Sequence, residues 1–143
     1  MSDALREAEA AADRGEVPVG AVVVRDGKII AAAGNEVLMR KDPTAHAEML
    51  AIRAACDALG SERLIGCDLY VTLEPCPMCA SAISQARIAR LYYGASDPKS
   101  GGVEQGACVF DQPQSHHKPE VYGGINAKEA TQQLKDFFEK MRT

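Results

Sequence analysis

Two short segments, well separated in the chain, each combine side chains that can bind a metal with the predicted start of a helix. The first is TAHAE at residues 44–48, and the second is EPCPMC at residues 74–79. The spacing of Cys76 and Cys79 places their sulfurs about one helical turn apart on one side, close enough to share a metal. A helix N-terminus also favours the thiolate over the thiol, because its free N–H groups carry partial positive charge. We therefore expect a fold that brings the two helix starts together.

Apolar periodicity and turn signals predict helices and strands in an interleaved order. Predicted helices are residues 2–14, residues 44–59 with Thr44 as N-cap, a segment starting at Pro77, and a last helix capped by Asn126 and Glu129. Predicted strands are residues 17–24, 29–33, 67–73 and 88–93, with an Asp26-Gly27 hairpin turn between the first two and short strands near Cys108 and Val121. This order predicts one α/β domain, residues 1–143, built as a three-layer α/β/α sandwich around a central mixed sheet of about five strands.

Side chains outside the two segments are assigned to the core or to the surface. Helix 44–59 is apolar around most of its circumference, and we expect it to be largely buried. The last helix is expected to turn one face to the core, formed by Ala130, Leu134, Phe137, Phe138 and Met141. Small buried apolar groups are the interpretation for Cys56, Cys67 and Cys108. Surface positions in a turn-rich stretch are the interpretation for His116 and His117.

The cysteine count, the apolar runs and the net charge limit the classes of protein to which the chain can belong. The chain has five cysteines, an odd number that argues against a disulfide framework and favours metal binding or burial. No apolar run approaches the roughly 20 residues that a membrane span needs, and the acidic N-terminal segment lacks the apolar core of a secretory signal. We therefore expect a cytoplasmic protein with no membrane partner. The net charge of −4 is not typical of a nucleic-acid binder, although net charge says little about a local basic patch.

The third metal ligand is identified by its neighbour. A catalytic zinc site takes three protein ligands and leaves one position for water, whereas a structural site takes four. The candidates beside the cysteine pair are His46, His116, His117, Cys67 and Cys108. His46 is favoured because Glu48 follows two positions later, and His-x-Glu together with Pro-Cys-x-x-Cys is the pattern of zinc deaminases. Taken alone, the Cys-x-x-Cys pair also fits a redox pair or half of a structural zinc site.

The combined pattern predicts a zinc centre held by His46, Cys76 and Cys79, with Glu48 as the proton carrier beside it. In such a site the metal activates water for attack on the amine-bearing carbon of a nucleobase. Glu48, which is not a ligand, would move protons from the water to the ring nitrogen and to the leaving amino group. The predicted activity is therefore hydrolytic deamination of a nucleobase.

Longer segments carry a family resemblance that covers nearly the whole chain. They are EVPVGAV at 16–22, Gly34-Asn35, DPTAHAE at 42–48, YVTLEPC at 70–76, GASDPKSG at 94–101 and the closing helix with Phe137-Phe138. Together they resemble the bacterial tRNA-specific adenosine deaminases of the TadA family, within the cytidine deaminase-like superfamily. The resemblance implies a cytidine deaminase-like fold, a homodimer and one zinc per subunit. It implies conversion of adenosine to inosine at the wobble position of a tRNA anticodon stem-loop.

The resemblance also implies three substrate contacts. Asn35 would contact the flipped base, the backbone N–H of Ala47 would lie against its reacting edge, and Asp97 would touch the sugar-phosphate of a neighbouring nucleotide. The metal motif is shared across the superfamily, so it indicates the chemistry rather than the substrate. Two alternatives stay open: a deaminase of a free base such as guanine or cytosine, and a non-catalytic, zinc-stabilised tRNA-binding subunit. Few basic residues after Phe138 predict weaker and less salt-sensitive RNA binding.

Overall fold

A five-stranded mixed sheet organises residues 1–142, the part of the chain that the computed structural model describes. The predicted domain bound and the C-terminal tail extend to Thr143, which lies outside the described residues. The helices are α1 (Ser2–Asp13), α2 (Val37–Arg40), α3 (Ala47–Leu59), α4 (Pro77–Gln85) and α5 (Ala127–Met141). The strands are β1 (Gly20–Arg25), β2 (Lys28–Gly34), β3 (Cys67–Leu73), β4 (Arg90–Ala95) and β5 (Glu120–Tyr122). A short 3₁₀ turn covers Val109–Asp111.

The strands follow the order β2-β1-β3-β4-β5 across the sheet. β1 is antiparallel to both β2 and β3, whereas β3, β4 and β5 run parallel. The β1–β2 hairpin turns at Asp26 and Gly27, which both have positive φ (51° and 75°), as this type of tight turn requires. The parallel half of the sheet places the carboxyl ends of β3 and β4 side by side, and the functional site lies at that edge.

Helices cover both faces of the sheet and complete the predicted three-layer sandwich. One face of β1, β3 and β4 packs its apolar side chains against α3 and α4. On the other face α1 crosses Gly20, where an added Cβ would lie 2.0 Å from the Ala4 carbonyl oxygen. α5 crosses Gly94 in the same way, with Ala130 Cβ 3.0 Å from the position of such an atom. The two glycines therefore allow helix backbone to approach the sheet closely. No helix within residues 1–142 has both the length and the apolar character to span a bilayer.

Several predicted helix details are wrong for local reasons. Helix α3 begins at Ala47 with His46 as N-cap, whereas Thr44 turns its backbone N–H and hydroxyl toward the Asp42 carboxylate at 2.9 and 2.7 Å. This Asx-type turn keeps the chain irregular until residue 46. Asn126 precedes α5 as predicted, but its left-handed backbone (φ 54°) places its side chain outside capping geometry, so the predicted pairing with Glu129 does not form. The four-residue helix α2 was not predicted.

The turn-rich region and the last helix bring further corrections. The strand near Val121 is confirmed as β5, but the strand near Cys108 is wrong, since Cys108 has a left-handed backbone (φ 46°) and leads into the 3₁₀ turn. On α5 only Ala130 is fully buried; Leu134 and Phe137 are half-buried. Phe138 and Met141 are 44% and 67% exposed, so their assignment to the core face is wrong.

The cysteines and histidines outside the two motif segments divide between buried and accessible positions. Cys67 is buried as predicted, whereas Cys56 and Cys108 are only half-buried. His116 is exposed as predicted. His117 is half-buried instead, with its ring Nε2 2.6 Å from the Ile88 carbonyl oxygen.

Candidate active site

The starts of helices α3 and α4 bring the three predicted metal ligands together. His46 and Cys76 are the N-caps of these helices, both with extended backbone, and Cys79 lies in the first turn of α4. His46 Nδ1 is 3.7 Å from Cys76 Sγ and 3.5 Å from Cys79 Sγ. Tetrahedral zinc with ordinary Zn–N and Zn–S bond lengths separates nitrogen from sulfur by about 3.6 Å. The donor set and its spacing therefore fit zinc.

The extended backbone of His46 explains how it shares a site with Glu48. Within a regular helix, side chains two positions apart point to roughly opposite sides. Because His46 (φ −73°, ψ 152°) stands just outside α3 and Glu48 inside its first turn, both side chains reach the same cavity.

A hydrogen-bond network among the three side chains favours the thiolate form of Cys76. Hydrogen bonds from Cys79 and His46 lower the pKa of the Cys76 thiol to about 4, against the opposing effect of burial. The partner thiol of Cys79 has a raised pKa, because it donates to Cys76. The hydrogen bond to Cys76 raises the pKa of His46. The cluster thus holds one thiolate, at Cys76, which accepts hydrogen bonds from Cys79 and His46 and is stabilised by the partial positive charge of two helix N-termini.

Glu48 is the buried carboxyl beside this cluster. Its side chain is 4% exposed and lines the same cavity as His46 and Cys76. Burial raises the pKa of Glu48 to about 7. A carboxyl with a pKa near neutrality can both accept and return a proton at cellular pH, as a general acid–base group must.

The cavity above the cluster has a volume of about 470 Å³ and opens to solvent. Its floor contains His46, Glu48 and Cys76, and its mouth is bordered by the exposed apolar side chains of α2 and α5. These mouth residues are Leu38, Phe138 and Met141. The last two, predicted as core, thus border the site instead. No lysine or arginine within the described chain is among the lining residues.

The three predicted substrate contacts lie on or beside this cavity. Asn35 lines it, and Asn35 Oδ1 accepts the backbone N–H of Ala47 at 2.8 Å. The Ala47 amide is therefore already engaged by Asn35 in this structure. Asp97 also lines the cavity, and its carboxylate accepts the backbone N–H groups of Lys99 and Ser100 at 3.2 and 3.0 Å.

Other ligand candidates lie elsewhere. Among residues 1–142 the only cluster of three or more His, Cys, Asp or Glu side chains suited to a metal is His46, Cys76 and Cys79. His116 lines a different, polar cavity beside α4. The remaining candidates that stay outside the cluster are His117, Cys67 and Cys108.

Two buried carboxylates in the cavity walls were missed by the sequence analysis. Glu16, 2% exposed, accepts the backbone N–H groups of Leu38 and Met39 in α2 at 3.1 and 2.9 Å. Glu74, 1% exposed, accepts four backbone N–H groups from residues 97–105. Burial favours the neutral form of Glu74, but those backbone amides prevail and its pKa is lowered. Both lie in segments that carry the family resemblance, residues 16–22 and 70–76, but their hydrogen-bond partners lie more than 20 residues away.

Comparison with known proteins agrees with the class that this fold and site define. The MafB19-like deaminase family profile matches residues 1–142, and the chain is a deaminase of this kind. A tRNA-specific adenosine deaminase of Agrobacterium fabrum is 58% identical over 99% of this chain and 93% of its own length. That of Aquifex aeolicus is 50% identical over 97% and 91%. Within the deaminases, the chain belongs to the tRNA-specific adenosine deaminase family.

Solved structures agree with the fold. A tRNA:A34 deaminase studied for A-to-I editing at the wobble position of transfer RNA superposes with a TM-score of 0.92 and 59% identity, covering 94% of this chain and 97% of that one. A guanine deaminase from Bacillus subtilis gives a TM-score of 0.67 and 35% identity, covering 99% and 91%. The predicted cytidine deaminase-like fold is therefore confirmed.

Proposed function

We propose that this protein is a zinc-dependent enzyme that deaminates the wobble adenosine of a tRNA anticodon loop to inosine. The observation that carries the proposal is the His46, Cys76 and Cys79 cluster with buried Glu48 beside it, on the floor of an open cavity. The substrate rests on the relatives, whose similarity extends over essentially the full length of both chains.

The chain's own residues account for the proton transfers. Zinc held by His46, Cys76 and Cys79, one ion per subunit, would supply Lewis-acid activation of the attacking water. Glu48 removes a proton from that water and delivers it to the ring nitrogen next to the reacting carbon. Glu48 then takes the remaining proton of the added hydroxyl and passes it to the amino group, which leaves as ammonia while the oxygen stays on the carbon as a carbonyl. The pKa of Glu48 near 7 suits both steps.

The cavity walls support roles for three further residues. Asn35 would hydrogen-bond the base that enters the cavity, and its position among the lining residues supports this role. For the Ala47 N–H to meet the reacting edge of the base, its hydrogen bond to Asn35 Oδ1 would have to be shared or exchanged on binding. Asp97, which also lines the cavity, would contact a ribose hydroxyl of a neighbouring nucleotide, because a carboxylate repels phosphate.

The same family membership supports the remaining proposals about the whole protein. Residues 1–143 would act as a single deaminase domain, and two copies would form a homodimer. A tRNA-modifying enzyme would work in the cytoplasm, where its substrate is found. The buried proton carrier argues against a non-catalytic tRNA-binding subunit, because a structural zinc site needs no such group.

A free-base deaminase is the second candidate, and one observation favours it. The cavity lining contains no cation among the described residues, whereas RNA-binding surfaces are normally basic. Arg14 lies at the margin and donates to the Asn35 carbonyl at 3.2 Å. The open mouth with its exposed Phe138 argues the other way, because an aromatic ring at a cavity entrance can stack on an unpaired neighbouring base.

A substrate comparison separates the two candidates. Zinc-loaded protein would be incubated with an anticodon stem-loop that carries wobble adenosine, with the same stem-loop carrying guanosine there, and with free guanine and cytosine. We expect inosine in the first RNA alone. Ammonia release from a free base without inosine formation would replace the proposal with the second candidate.

A single substitution tests the proton carrier. Glu48→Gln keeps the shape of the side chain but removes the group that accepts a proton, so we expect full zinc content and a rate at least about 10²-fold lower. Glu129→Gln, a change at an exposed position in α5, serves as the matched control with unaltered rate. Near-normal deamination by Glu48→Gln would refute the assigned role.

A further inference from the structure

One wall of the active-site cavity is a loop, residues 96–105, that folds around the carboxylate of Glu74. The two Glu74 oxygens accept five hydrogen bonds, from the Ser96 hydroxyl and from the backbone N–H groups of Asp97, Val103, Glu104 and Gln105, at 2.9–3.2 Å. All five donors are uncharged. Four of them are backbone N–H groups, which together form an anion-binding site for the carboxylate. Burying a carboxylate costs free energy unless hydrogen bonds compensate for the lost water, and here all of those hydrogen bonds come from one loop, which indicates a specific role for it.

The same loop also hydrogen-bonds to the backbone that carries a metal ligand. Gly102 N–H donates to the Pro75 carbonyl at 2.8 Å, and Pro75 directly precedes Cys76. An added Cβ at Gly101 would lie 2.7 Å from Glu74 Oε2, and one at Gly102 would lie 2.5 Å from Pro77 N. The loop therefore rests directly on Glu74 and on the start of α4, with no room for side chains between them.

Two residues of this loop face the cavity. Asp97 and Ser100 both line it, next to Glu74, Cys76 and His46. Within the loop the Asp97 carboxylate accepts the Ser100 N–H at 3.0 Å, and the Asp97 carbonyl accepts the Gly101 N–H at 2.9 Å. The position of Asp97 relative to the metal site thus depends on two connections, Glu74 and the Pro75–Gly102 hydrogen bond.

We propose that Glu74 is a positioning residue, whose buried carboxylate fixes the 96–105 loop so that Asp97 and Ser100 hold the nucleotide beside the reacting base. This inference rests on the proposed polynucleotide substrate. Glu74 acts through the loop, because its carboxylate oxygens accept the five hydrogen bonds from loop donors. Its effect is therefore on binding of the stem-loop, and the chemical step depends on it little.

The test is Glu74→Gln, measured in the zinc-loaded protein. Glutamine keeps the size of the side chain but presents an NH₂ group to backbone N–H donors, so the loop loses several hydrogen bonds. We expect the amides of Val103, Glu104 and Gln105 to exchange with solvent at least about 10-fold faster. With the anticodon stem-loop, we expect KM to rise roughly 10-fold while kcat changes less than about threefold, since the lost interaction is in binding. Zinc content stays at one per chain.

Two companion variants keep the test decisive. Glu120→Gln removes the same charge from an exposed strand-edge residue and leaves exchange and KM unchanged. Ser96→Ala removes one donor at an exposed position and gives a smaller change of the same kind, about threefold in KM. If Glu74→Gln does not fold, the exchange rates and KM of Ser96→Ala test the positioning role instead.

Three results would overturn the positioning role: unaltered exchange in the 96–105 loop, a fall in kcat with unchanged KM, or loss of zinc. Failure of the proposed function looks different. In that case the wild-type protein produces no inosine in the stem-loop, while the exchange measurement still reports whether Glu74 holds the loop.

Discussion

The α2 wall of the cavity depends on Glu16, and Glu16→Gln is the substitution that tests it. Each Glu16 oxygen accepts one backbone N–H, from Leu38 at 3.1 Å and from Met39 at 2.9 Å. These bonds hold the short helix α2, whose residues Val37 and Leu38 line the cavity. Glutamine has only one carbonyl oxygen, so its NH₂ group must face one of the two amides.

The loss of stability expected for Glu16→Gln follows from this geometry. Losing one hydrogen bond to a charged acceptor costs about 1.5–3 kcal/mol, and leaving the opposing amide without a partner adds about 1–3 kcal/mol where it stays buried. Because α2 lies at the surface with Leu38 and Met39 exposed, water can satisfy part of that loss. We therefore expect Glu16→Gln to lower the free energy of unfolding by about 2–3 kcal/mol, or roughly 6 °C in Tm.

Urea unfolding followed by circular dichroism, with zinc in constant excess, measures this change. Glu9→Gln, at an exposed position of α1, is the matched control and should lie within about 0.5 kcal/mol of the wild type. Glu16→Gln is also expected to raise KM for the stem-loop, because the α2 wall loosens. A Glu16→Gln protein as stable as Glu9→Gln would refute the reasoning about this wall.

Three further predictions concern other parts of the molecule. Gly20→Ala forces a Cβ against the backbone of α1 and should lower the free energy of unfolding by about 3 kcal/mol. Gly27→Ala meets open space but has a positive φ, and should lower it by only about 1 kcal/mol. Equal losses in thermal unfolding would contradict the close-approach argument. Burial raises the pKa of Asp68 despite the attraction of Arg90. The folded chain therefore binds the carboxyl proton of Asp68 more tightly than the unfolded chain does, and the free energy of unfolding falls as pH rises above the ordinary pKa of Asp. Asp68→Asn should therefore stabilise by roughly 0.5 kcal/mol at pH 7, with the gain lost below about pH 4; a gain that persists at pH 3 would count against it. Phe138→Ala should raise KM for the stem-loop about 10-fold with little change in Tm, as expected for loss of base stacking at the cavity mouth; a large fall in Tm with unchanged KM would mean that Phe138 is a core residue.

The chemical centre could be predicted from the sequence because its residues belong to short local patterns. The pair Cys76 and Cys79 is spaced by one helical turn, and His46 and Glu48 flank a helix start. Each pattern carries its own geometry, so only the meeting of the two helix starts depends on the tertiary fold. The order of strands and helices followed from periodicity in the same local way.

The walls of the cavity could not be predicted, because their order depends on contacts between distant residues. Glu16 and Glu74 each bind backbone amides more than 20 positions away, and backbone amides leave no signal in a sequence. Helical periodicity assigned Phe138 and Met141 to the core face, which is wrong for both. Periodicity identifies the apolar stripe of a helix, but which part of that stripe a neighbouring element covers depends on the tertiary fold.

The central claim is that a zinc ion on His46, Cys76 and Cys79 makes this chain a tRNA adenosine deaminase, and zinc titration tests it most directly. Chelated protein would receive increasing zinc while inosine is measured in the wobble-adenosine stem-loop. The account predicts no inosine without metal and a rate that rises linearly to a plateau at one zinc per chain. Inosine formation by the metal-free protein, or none at full zinc occupancy, would contradict it.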